Sequence, residues 1–129
     1  MPINTAYDDL SGAGTTAVGD ADALLRLERF GGLKLRNELT TLFLQEAPAR
    51  IASARAALAG GDIEAIRGMA HMLKSSAGQM GALRVQIICE RLESPDLPPD
   101  LARALSDLDD EVARYSGWLD TAFLPPASP

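Results

Sequence analysis

The stretch from Asp62 to Met80 places Ile63, Ile66, Ala70, Leu73, Ala77 and Met80 at spacings of 3, 4, 3, 4 and 3. Side chains three and four apart share one face of a helix, so this alternation predicts a helix whose apolar seam lies in a bundle. Two later stretches repeat it. Ala82, Val85, Cys89 and Leu92 follow 3, 4, 3, and Leu101, Leu105, Leu108, Val112, Tyr115, Leu119 and Ala122 follow 4, 3, 4, 3, 4, 3. Upstream, Leu35, Leu39 and Leu42 form one stripe, and Phe43, Ala47, Ile51, Ala54 and Leu58 continue it. Pro48 lies between and is expected to kink that helix, since proline lacks the backbone donor. No stretch shows the period-two alternation of a half-buried strand.

Turn residues divide these patterns. A short helix over about 20–30 ends at Gly31 and Gly32, and a longer one over about 33–59 ends at Gly60 and Gly61. Asp62 is a good N-cap for the next, with Glu64 in its first turn. Gly81 is placed to turn the chain into the fourth helix, about 82–93, and "SPDLPPD" separates that from the fifth, about 99–123. Four long amphipathic helices with short connections predict an all-α, up-down four-helix bundle, with an additional short N-terminal helix covering one end. Residues 1–19, rich in Gly, Ser, Thr and Asp, are expected to form a flexible arm, residues 20–124 the bundle, and residues 125–129 a flexible tail.

Composition narrows the function classes. With 12 Lys and Arg against 18 Asp and Glu, the net charge is −6, and no basic stripe of the kind that binds nucleic acid is present. No apolar run approaches the roughly 18 residues that span a bilayer. The start, "MPINTAYDDLSG", is acidic and has no apolar signal region. A single cysteine, Cys89, falls on a seam, fits a packed thiol and permits no internal disulfide, so a cytoplasmic location is expected.

The lone histidine, His71, is the residue that the seam does not account for. At 100° per residue it points about 130° away from the seam, toward solvent or a groove edge. Its helical neighbours Gly68, Ser75 and Gly78 are tiny, although a glycine inside a helix costs about 1 kcal/mol relative to alanine. Arg67 and Lys74, one turn to either side, are cationic. Small neighbours give another protein close access to the ring, and Met72 beside it suits a docking surface. Arg67, Gly68, Met72, Ser75 and Gly78 are therefore candidate partner-docking residues. A neutral imidazole is a nucleophile near neutral pH without a separate base. Were it to attack a phosphoryl group, Lys74 could pair with the oxygens. The chain has no Gly-rich phosphate cradle, so it needs no cofactor of its own, and Mg²⁺ would belong to a partner.

These residues carry a resemblance. "AHMLKSSAGQMGA" followed by "CERLE" is similar to the histidine-containing phosphotransfer (HPt) domain of bacterial multistep phosphorelays. His71, Leu73, Lys74, Ser75, Gly81 and Ala82 match its pattern, with Cys89, Leu92 and Glu93 fitting later; many members have glycine where Ser75 stands. The resemblance implies that His71 is phosphorylated, with Lys74 assisting. It implies exchange with the receiver-domain aspartates of response regulators and hybrid histidine kinases by a phosphocarrier with no kinase activity of its own, acting as a monomer. The competing class is a helical adaptor that binds signalling proteins without phosphoryl chemistry. A metal or haem bundle would need several converging ligands, and one His and one Cys on different faces suit it poorly.

Overall fold

The computed structural model describes residues 16–123. The chain forms α1 (Ala21–Ala59), α2 (Ile63–Met80), α3 (Leu83–Glu93) and α4 (Leu101–Trp118), which continues into a π-helical turn, Leu119–Phe123. The fold is the predicted all-α bundle. α2 is its central member, packed against α1 on one side and α3 on the other, while α4 closes the bundle against α1 and α3. Among the described residues no helix is long and apolar enough to cross a membrane.

The helix starts follow from their caps. Asp20, Asp62 and Asp100 each accept a hydrogen bond from a backbone N–H of the first turn, at 3.0, 3.1 and 3.0 Å. α3 has no side-chain cap; the N–H of Leu83 donates instead to the carbonyl of Val18 at 3.2 Å. The N–H of Asp20 in turn donates to the Gly81 carbonyl at 2.9 Å. Gly81 has φ 71°, and a Cβ there would lie 2.6 Å from the Asp20 carbonyl oxygen, so the turn between α2 and α3 requires glycine. The segment 16–19, assigned by composition to the arm, is thus part of the folded unit. The rest of that arm, 1–15, and the tail 125–129 lie outside the described residues.

α1 is a single run broken once, at Gly32 (φ 80°, ψ 178°). The break is where two glycines predicted the end of a short helix. Its two sides are clasped together: Arg36, almost fully buried, donates to Glu28 at 2.6 Å across the break and to Asn37. The backbone keeps helical φ/ψ through Pro48, which lies inside one continuous helical run. Pro48 sits on the exposed side, and the carbonyl deprived of its partner belongs to Leu44.

The core agrees with the seams of α2, α3 and α4. Ile66, Leu73, Leu92, Leu105, Leu108 and Tyr115 are fully buried, and each such aliphatic side chain contributes roughly 1.5–3 kcal/mol. Tyr115 donates to the Met80 carbonyl at 2.5 Å and meets Phe43 edge-on at 5.5 Å, which fastens α4 to the middle of α1 and the end of α2. Two expected seam positions differ. Leu42 is 46 % exposed and Ala122 is exposed. In α1 the buried line runs through Arg36, Thr40, Phe43, Ala47, Ile51 and Ala54. Its first two members are polar, with Thr40 Oγ1 donating to the Arg36 carbonyl at 3.0 Å.

Candidate functional site

His71 stands mid-way along α2 with its side chain 69 % exposed, as its angle from the seam required. Gly68 is open: nothing lies within 4 Å of where its Cβ would be. Ser75 and Met72 are exposed, and Met72 is touched by Arg50 Nη1 at 3.7 Å. Gly78 differs from Gly68. The Gln86 side chain of α3 lies 3.4 Å from its Cβ position, so this glycine faces the neighbouring helix rather than open space.

The residue that organises the site is Glu93, in the last turn of α3. Its Oε2 takes a close hydrogen bond from His71 Nδ1, and its Oε1 forms an ion pair with Lys74 Nζ at 2.5 Å. Two of the three groups, Glu93 and Lys74, are shifted from their ordinary values. Lys74, first, and His71 hold the Glu93 carboxyl below the usual carboxylate range, and Glu93 raises the Lys74 ammonium above its ordinary value. An ionised carboxylate can only accept, so Nδ1 must carry the proton. In the neutral ring the lone pair is then left on Nε2, which has no protein partner among the described residues. A hydrogen bond to one ring nitrogen thus decides the chemistry of the other.

Arg67, one turn before His71, turns to the end of α3. Its Nη1 donates to the Ser94 carbonyl at 2.8 Å and approaches that of Glu93 at 3.5 Å, while Nε lies 3.5 Å from the exposed Glu64 carboxylate. Cys89, beneath the site, is fully buried, and burial pushes its thiol up to about 12. On the other side of α2 a cleft of about 130 Å³ runs between α1 and α2, floored by Phe43, Ala47 and Leu73 and edged by Glu46 and Arg50.

Sequence reasoning singled out His71 and Lys74, which the fold brings together, but gave Glu93 no role beyond its place in the motif. One signal was available. A carboxylate in the last turn of a helix faces the negative end of the helix dipole, an unfavourable position unless cations from elsewhere answer it. Here Lys74 and Arg67 do.

A family model of the Hpt domain matches residues 38–118, from α1 to the end of α4. No match was found among curated proteins or among solved structures. The matched stretch is well over half of the chain and contains His71, Lys74 and Glu93. On that match the chain belongs to the Hpt domain family, the phosphocarriers of histidine phosphotransfer in phosphorelays.

Proposed function

We propose that the chain accepts a phosphoryl group on Nε2 of His71 from the aspartyl phosphate of one receiver domain and passes it to the aspartate of another. The observation that carries this is the Glu93 carboxylate on Nδ1, which leaves an unpartnered, exposed Nε2 beside a lysine. In the forward step the Nε2 lone pair forms the N–P bond while the P–O bond to the receiver's aspartate breaks, and that aspartate leaves as a carboxylate. The Nδ1 proton stays in place. The ring becomes cationic as the bond forms, and the carboxylate already on Nδ1 stabilises that developing charge. Lys74, paired with Glu93 at rest, turns to the incoming phosphoryl oxygens, one helical turn from the ring. The receiver supplies the aspartate and its Mg²⁺. Its approach is over the small, open side of α2 at Gly68 and Ser75, with Met72 at the edge.

The test is transfer from a phosphorylated receiver, read as acid-labile, base-stable phosphate on the protein. His71→Gln should abolish it while changing stability by less than about 0.5 kcal/mol, since the side chain is exposed. Label retained in that variant overturns the assignment. Wild-type protein that binds the receiver but never becomes labelled is a helical adaptor instead.

A further inference from the structure

Glu93 is poorly placed to hold anything still. It is the last residue of α3, and at Ser94 the chain leaves the helix (φ −66°, ψ 151°). The last carbonyls of a helix have no donors within it, and helix ends fray. Yet both carboxylate oxygens of Glu93 are engaged, one on His71 and one on Lys74.

Arg67 is the group that meets this end. Its Nη1 bonds the Ser94 carbonyl at 2.8 Å and sits 3.5 Å from that of Glu93, with its side chain only 26 % exposed. It supplies the missing donor and places a cation at the negative end of the helix. Arg67 lies four residues before His71, on the same face of α2. One helix therefore carries both the ring and the clamp on the backbone of the residue that holds the ring. The contacts close on themselves: His71 ring, Glu93 carboxylate, Glu93 and Ser94 backbone, Arg67 guanidinium, α2.

We propose that Arg67 is a positioning residue for phosphotransfer: by clamping the C-terminal carbonyls of α3 it fixes Glu93 on Nδ1 and so keeps Nε2 of His71 as the free nucleophile. This rests on the reading of His71 as the phosphoryl acceptor. Arg67 touches neither the ring nor the phosphoryl group, and its effect passes through Glu93. A lysine offers a single point of donation where arginine offers a fork, so it replaces the clamp only in part.

Two readouts test this on the full chain. Nitrogen-15 spectra of the His71 ring report which nitrogen carries the proton, and transfer from a phosphorylated receiver reports the rate. In wild type the Nδ1–H form should dominate. Arg67→Gln should move the population toward Nε2–H and slow transfer severalfold, and Arg67→Lys should restore part of both. With Glu93→Ala already in place, Arg67→Gln should slow transfer by less than a further twofold, because no acceptor is left on residue 93 for the clamp to position. An Arg67→Gln variant with wild-type ring spectra overturns the proposal. So does an Arg67 effect undiminished in the Glu93→Ala background. Wild-type protein that accepts no phosphoryl group refutes the proposed function instead, and the ring spectra still decide the clamp.

Discussion

At the scale of single residues, Lys74 presents two demands on one ammonium. At rest it is held by Glu93 at 2.5 Å; during transfer it has to meet the phosphoryl oxygens. The exchange is a short one, because Lys74 and His71 are three residues apart and share a side of α2. Lys74→Ala should leave Nε2 able to accept phosphate but remove one charge-assisted contact from the transition state. Such a contact is worth about 1.5–3 kcal/mol, and a loss of that size slows transfer on the order of tenfold to a hundredfold. The lifetime of phosphohistidine should shorten as well. Lys74→Arg should recover part of the rate, since a planar fork does not reproduce a flexible point charge. Rapid-quench transfer from a phosphorylated receiver measures this, with circular dichroism as the check on folding. An alanine variant that transfers at the wild-type rate would leave Lys74 as no more than Glu93's counter-ion.

At the scale of the helix, α2 carries two glycines that look alike in the sequence and differ in the structure. Gly68 borders open space, whereas Gly78 is covered by Gln86 of α3. Gly68→Leu should therefore hinder a docking receiver and slow transfer while raising stability by up to about 1 kcal/mol through helix propensity. Gly78→Ala should leave transfer unchanged, because its methyl meets Gln86 at ordinary contact distance and lies two turns from the ring. Urea unfolding and transfer rates on both variants separate the roles; equal slowing in the two would mean that the glycines share one function. Their difference also marks what a sequence can show. The angle of His71 from the α2 seam, the Asp62 cap and the turns at Gly60, Gly61 and Gly81 follow from local spacing, and all stand as read. What one helix meets on another does not follow from spacing. Gln86 over Gly78, Glu93 between His71 and Lys74, and Arg67 on the end of α3 all cross between helices. The α1 seam was misread for a related reason: Arg36 and Thr40 lie on it, and their burial depends on Glu28 and a backbone carbonyl rather than on apolar character.

At the scale of the whole molecule, the bundle buries two groups that ionise only in alkaline solution, Cys89 and Tyr115, and so makes its stability depend on pH there. Burial pushes the Cys89 thiol from an ordinary 9.0 up to about 12, with the Glu93 charge adding to it, and burial likewise raises the Tyr115 hydroxyl. Both groups are neutral in the fold and ionise more readily in the unfolded chain. Below the unfolded value of each, the two states bind the same number of protons and pH has no effect through that group. Above it the unfolded chain releases a proton that the fold retains, so stability falls as pH rises. For Cys89 this window runs from about 9 to about 12, with a slope approaching 1.4 kcal/mol per pH unit for one proton. Tyr115 adds to the decline from about pH 10 upward. Cys89→Ala separates the two. At pH 8 the variant should be less stable than wild type by on the order of 1 kcal/mol, from the small gap left in the core. Between pH 9 and 11 that deficit should shrink and then reverse, because only wild type still carries the thiol. Urea unfolding in reducing buffer at unit steps from pH 8 to 11 reads the gap directly. Parallel stability curves over that interval would mean that the Cys89 thiol titrates alike in the folded and unfolded chain, contrary to its complete burial between α3 and its neighbours.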